Sequence, residues 1–223
     1  MAITASAGGI TAAIKPRRPS WADMSKHYPA KSVDITTLYN KIIGGSFANQ
    51  EKVQYLQNTC AVRMSYALLR SEFHLPRTSD KNASKLGDDK KWYWLRVANL
   101  REELSARFKG FDEQLNFEMV DPARDYTAKS IEPFQKARRV KAEEFLNTKL
   151  RSKNGIIVFD VHGWGDATGH FTLWDGTAMK LAYAPGHDDP STSAYYPWLT
   201  VLDELFSVDF LVQVMKIHFW ELK

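Results

Sequence analysis

Apolar positions along this chain keep a helical period up to about residue 150 and a strand period after residue 154. Ile35, Leu38, Tyr39, Ile42 and Ile43 share one face of a helix, with Asp34 placed to cap its start and Gly44-Gly45 to end it. A second helix is predicted from Cys60, where Val62, Tyr66 and Leu69 form one stripe and Met64 and Leu68 lie beside it. Residues 72–91 read as loop, with Pro76, Asn82, Gly87 and the run Asp88-Asp89-Lys90-Lys91. Trp92-Tyr93-Trp94 leads into a third helix through Leu95, Leu100, Leu104 and Phe108, closed by Lys109-Gly110. Residues 111–130 carry no assignable period. Pro133 to about Leu150 reads as a helix whose Lys136, Arg138, Arg139 and Lys141 form either a solvated face or an anionic docking surface.

Beyond Asn154-Gly155, the run Ile156-Ile157-Val158-Phe159 predicts a buried strand. Gly163-Trp164-Gly165-Asp166 is a loop, and His170-Phe171-Thr172-Leu173-Trp174 a second strand. Asp175-Gly176 signals a hairpin, so residues 177–183 are expected to return as a third strand. Gly186 to Ser191 is a loop, and Val212 to Leu222 alternates as a closing strand. Helices first and an antiparallel sheet afterwards predict an α+β domain. Residues 1–20, rich in Ala, Gly, Thr and Ser, read as a flexible tail, and residues 21–223 as one domain with order beginning near Trp21.

With 223 residues and 44% hydrophobic content, the chain has the material for one sizeable core. Thirty basic against 26 acidic residues leave a net charge of +4, too small to argue for nucleic acid. Neither a membrane-spanning apolar stretch nor a secretory signal is legible. An expected site of action outside the cell of origin therefore calls for another export route.

The only cysteine is Cys60, so it has no partner for an internal disulfide. It stands in Asn58-Thr59-Cys60-Ala61-Val62-Arg63-Met64-Ser65-Tyr66-Ala67-Leu68, at the predicted first turn of a helix. Free N–H groups there favour a thiolate, so the expected shift of the thiol pKa is downward. Buried packing residue and poised nucleophile are the two readings. A nucleophile needs a base, and six histidines are available. His170 is preferred, because a glycine before it and a hairpin after it hold the imidazole on a rigid strand. Asp166, His187, Asp188 and Asp189 suggest a metal only weakly, and no metal or cofactor is expected.

The cysteine word, followed by Gly155-Ile156-Ile157-Val158, His162-Gly163-Trp164 and Gly169-His170-Phe171-Thr172-Leu173-Trp174-Asp175-Gly176, resembles the fourth family of type VI secretion amidase effectors. Trp21 and the segment from Lys91 to Leu100 fit as well, so the likeness spans most of residues 20–176. The resemblance implies a compact papain-like enzyme of the NlpC/P60 kind, with the cysteine on a helix and the histidine on an antiparallel sheet. It implies a bacterial toxin delivered by type VI secretion to the periplasm of a competitor. There it would cleave peptidoglycan stem peptides between γ-D-glutamate and meso-diaminopimelate, with a cognate immunity protein protecting the producer. Cys60 takes the nucleophile's place and His170 the base's. The family's aspartate follows the histidine on the return strand, and here that register lands on Leu181. Asp188 is the expected orienting acid, with Asp189, Asp175, a backbone carbonyl or water as alternatives.

Trp164 and Trp174 are candidates for holding substrate, or else core residues. Arg63 is a candidate for a substrate carboxylate, or else pairs with an acid inside the fold. The competing functional reading is a non-catalytic wall-binding or interaction module in which Cys60 is packing.

Overall fold

The computed structural model describes residues 3–7, 10–14, 18–121, 126–165, 167–205 and 208–223. At the N-terminus, β1 (Ile3–Ala7) and β2 (Ile10–Ile14) pair antiparallel, where the sequence predicts a flexible tail. Helix α1 (Trp21–His27) opens at Ser20, whose side chain accepts from the Asp23 N–H. The Trp21 N–H donates to the carbonyl of Lys223 at 3.0 Å, which ties the start of the domain to its end.

The predicted helix over 35–43 is one α turn, α2 (Ile35–Thr37), capped by Asp34 and continuing as a π-helix over Leu38–Ile43. The wider π winding carries Leu38, Tyr39 and Ile43 inward. Gly44 and Gly45 end it at positive φ, 63° and 61°, a conformation that a side chain disfavours. Helix α3 (Cys60–Arg70) is buried along nearly its whole length. Next, β3 (Ser84–Leu86) pairs with β4 (Trp92–Trp94), so Trp92-Tyr93-Trp94 is a strand rather than a helix lead-in. The aromatic run suits a pleated, half-buried surface. Helix α4 (Val97–Phe108) begins only after it.

Strand β5 (Glu113–Asn116) lies in the stretch without a period, because Leu115 is its one apolar residue and leaves no apolar alternation to read. Helix α5 (Ala128–Phe145) starts before Pro133, at a capping box of Thr127 with Ser130, and passes into a π-helix over Leu146–Leu150. Its basic face is not wholly solvated. Arg138 is buried, donating to the carbonyls of Glu118 at 2.8 Å and of Val214, with its guanidinium over the Phe117 ring.

Strands β6 (Gly155–His162), β7 (Gly169–Asp175), β8 (Lys180–Leu181), β9 (Thr200–Leu205) and β10 (Val208–Glu221) complete the chain. The main sheet runs β5-β10-β6-β7-β8, with β9 paired to the first half of β10. All of these pairs are antiparallel. The expected third strand is only two residues long, and the closing strand is longer than its alternation suggests. The sheet is covered on both faces. Ile156, Val158, Phe171, Leu173 and Trp220 join the core built with α1 to α4. Ile157, Phe159, Trp174, Ile217 and Phe219 join a second core with α5 and the segment around Tyr195–Leu199. Alternate residues of each strand serve opposite cores, which is why β6 reads as a continuous apolar run.

Candidate active site

The brevity of β8 creates the site. Along β7, the main-chain groups of odd-numbered residues point away from β6. The Leu173 carbonyl accepts from the Ala182 N–H at 3.0 Å, but β8 pairs only Trp174 and Asp175. At Phe171 the edge is therefore open to other partners. Its carbonyl accepts from the Tyr28 hydroxyl at 3.3 Å, and its N–H favours the thiolate form of Cys60. Helix α3 thus meets the sheet by its first residue, at the strand residue that follows His170.

Cys60 is the first residue of α3 and is 1% exposed. Burial pushes its thiol up to about 11, outweighing the N–H groups of Phe171, Ala61 and Cys60 itself and the charge of Arg63, all of which pull it down. The expected effect of the helix start is present, but the net direction is opposite to the expectation. Desolvation penalises a thiolate more than three N–H donors and a cation repay.

His170 is buried, with its ring stacked on Tyr196 at 4.4 Å and 13°. Its Nε2 lies 2.6 Å from the Tyr183 carbonyl. A carbonyl only accepts, so Nε2 carries the proton and the lone pair is on Nδ1. Burial, with lesser contributions from His187 and Arg63, moves the imidazole down to about 4. The thiol and the imidazole are therefore both neutral at rest.

Tyr183 connects both halves. Its N–H donates to the Thr172 hydroxyl at 2.9 Å, and its own hydroxyl is 3.2 Å from the hydroxyl of Thr59. Arg63 is buried with its guanidinium 4.0 Å from the Tyr183 ring centre. It donates to Thr59 Oγ1 at 2.9 Å and to the carbonyls of Ala30 at 3.1 Å and Val33 at 2.6 Å. Its donors are thus spent on the protein interior.

Asp188 pairs with Lys31 at 2.7 Å. Among the described residues, no hydrogen bond joins its carboxylate to His170, whose Nε2 meets the Tyr183 carbonyl instead. Asp175 accepts from the Thr177 and Ala178 N–H groups, a turn role. The Asp189 carboxylate accepts from the Ser191 N–H within its own loop. Asp166 lies outside the described residues. Among those described, no three acidic, histidine or cysteine side chains cluster as metal ligands. Trp174 is fully buried, donating to the Leu150 carbonyl at 3.1 Å. Trp164 is half-buried, edge-on to Tyr196 at 5.9 Å, and lines a cleft of about 1100 Å³. That cleft also takes in Asn58, two residues before Cys60, and Lys81, Lys85 and Arg96.

Tyr28, Tyr183 and Tyr196 are the residues of this site that no sequence motif marks. A cue for Tyr183 exists only in retrospect, as the residue leaving the hairpin opposite Thr172.

A cysteine at a helix start, set on the edge of an antiparallel sheet beside a histidine strand, is a papain-like α+β arrangement. The chain belongs to the type VI secretion system amidase effector protein 4 family, whose model matches residues 56–220. Among solved structures, the effector–immunity complex Tae4–Tai4 from Enterobacter cloacae aligns at 24% identity and a TM-score of 0.60, over 92% of this chain and 99% of that one. Tae4 from the same organism on its own aligns at 25% identity and 0.58, over 92% and 98%. The Tae4–Tai4 complex from Salmonella Typhimurium aligns at 24% and 0.56, over 92% and 99%. A comparison with curated proteins finds no match.

Proposed function

We propose that this chain is a cysteine amidase that hydrolyses peptidoglycan stem peptides at the bond between γ-D-glutamate and meso-diaminopimelate. It acts as an antibacterial toxin, delivered by a type VI secretion system to the periplasm of a target cell. The observations that support the reading are Cys60 at the start of α3, where the Phe171 N–H favours its thiolate, and the neighbouring residue along β7, His170, whose imidazole the Tyr183 carbonyl holds in one tautomer. Family membership supports the substrate class. Relatives crystallised with an immunity protein support a cognate inhibitor for this chain as well.

The chemistry follows from the neutral resting pair. The Cys60 sulfur forms its bond to the amide carbonyl carbon while its proton passes to His170 Nδ1. N–H groups at the start of α3 stabilise the oxyanion: Thr59 makes no capping bond there, and the Asn58 Oδ1 that accepts from the Cys60 N–H at 3.5 Å gives way to it. His170 then gives the proton to the departing amine as the C–N bond breaks. Water hydrolyses the thioester, with the same imidazole as base, and restores the thiol. The Tyr183 carbonyl does the orienting work of a third residue without a carboxylate's charge. Trp164 and the cleft beside Asn58 take the stem peptide.

Burial of Cys60 favours one other reading, a non-catalytic wall-binding module with the thiol as packing. Mass spectrometry of muropeptides separates the two. Treated sacculi yield new diaminopimelate amino ends with the native protein and none with Cys60→Ala. Equal product from both proteins, or none from either, would remove the amidase reading.

A further inference from the structure

Arg63 is a buried cation for which the described residues supply no carboxylate partner. Its nitrogens reach two segments: Thr59 at the cap of the Cys60 helix, and the carbonyls of Pro29, Ala30 and Val33 in the connector between α1 and α2. Its flat face lies on the Tyr183 ring at 4.0 Å. Tyr183 in turn presents its carbonyl to His170 and its hydroxyl to Thr59. A closed circuit therefore runs Arg63–Thr59–Tyr183–Arg63, with Cys60 next to one corner and His170 hydrogen-bonded to another. A guanidinium is suited to this post, since it can donate in its plane and stack on its face at once.

We propose that Arg63 is the positioning residue of this site, fixing the start of the Cys60 helix against the residue whose carbonyl orients His170. The inference rests on the cysteine amidase reading. It assigns to a buried cation and a tyrosine the alignment that a carboxylate would otherwise give. The charge acts in the same direction as the geometry. A cation near both groups favours thiolate on Cys60 and disfavours imidazolium on His170, so His170 stays an unprotonated base. Where a carboxylate would stabilise the imidazolium, Arg63 stabilises the sulfur.

Four variants test this: Arg63→Lys, Arg63→Met, Tyr183→Phe and Tyr183→Leu. Each is read by urea midpoint, by the pH dependence of iodoacetamide labelling of Cys60, and by kcat and KM on sacculi. Tyr183→Leu keeps the main-chain carbonyl but removes the ring on which Arg63 rests. It is expected to lower kcat by about 10- to 100-fold, with KM within about threefold, because alignment and not binding is lost. Arg63→Met is expected to move the labelling midpoint to higher pH, and Arg63→Lys to restore it partly by returning the charge. Tyr183→Phe loses only the hydroxyl link and is expected to sit between the native protein and Tyr183→Leu. If Arg63→Met does not fold, Tyr183→Leu and Arg63→Lys decide the matter. Lower urea midpoints with unmoved kcat and unmoved labelling profiles would make Arg63 merely structural. The labelling profile is readable without any wall hydrolysis, and Cys60→Ala is the control for hydrolysis. Failure of the positioning role is thus distinct from failure of the amidase reading.

Discussion

The Nε2 of His170 and the main-chain carbonyl of Tyr183 are 2.6 Å apart, so an uncharged backbone group holds the imidazole of this site. A carbonyl fixes the tautomer and ring plane as a carboxylate would, but adds no charge to stabilise an imidazolium.

Asp188→Asn is therefore expected to leave wall hydrolysis within about threefold of the native rate. Loss of a true triad acid costs on the order of 10⁴. Among the described residues Asp188 pairs with Lys31, and an exposed pair of this kind contributes at most about 1 kcal/mol. Muropeptide release by the purified variant checks this. A drop of a hundredfold or more would return Asp188 to the site.

Cys60 is expected to be labelled slowly by iodoacetamide at neutral pH, with the rate climbing as pH rises toward about 11. Because burial raises the folded thiol, the reactive thiolate appears only at high pH. In urea the same residue should label with the free midpoint of about 8.5. Identical profiles in folded and unfolded protein would contradict the burial.

His170 sets a pH limit on stability. Its folded value is lowered to about 4, against about 6.5 when free. Above pH 6.5 the neutral ring costs nothing. As pH falls from 6.5 toward 4 the unfolded chain takes up the proton first, and stability declines by at most roughly 3 kcal/mol. Urea midpoints across that window should fall in the native protein and fall less in His170→Gln. Parallel curves for the two proteins would show that burial of His170 is not what sets the slope.

Trp174 on the histidine strand and Trp164 before it should behave differently. Trp174→Ala removes a fully buried ring and its bond to Leu150, and is expected to cost about 3–5 kcal/mol in urea unfolding. Trp164→Ala lies at the cleft and is expected to cost about 1 kcal/mol or less while raising KM on sacculi several-fold. Equal destabilisation by both would make Trp164 a core residue too.

Much of the architecture was legible before folding. The change of period near residue 154, the capped start at Asp34 and the turn at Asp175 are local consequences of side-chain type, and the structure keeps them. The α+β class and the placement of Cys60 on a helix and His170 on a strand followed from the same local rules. Short strands were harder. β3, β5 and β9 exist because a neighbouring strand offers hydrogen bonds, and nothing in their own residues announces that offer.

The sequence by itself determined which residues could do chemistry: one thiol at a helix start and one histidine between a glycine and a hairpin. Only the tertiary structure decided what surrounds them. β8 stops after two residues and frees the Phe171 N–H for the sulfur. Tyr183, thirteen residues past His170, brings up a carbonyl, a group every residue has and no sequence pattern singles out. Burial of Cys60 in the core reverses the direction in which a helix start alone would move the thiol. Helix propensity and strand period act within a few residues, whereas desolvation and hydrogen-bond partners are properties of what the folded chain brings alongside.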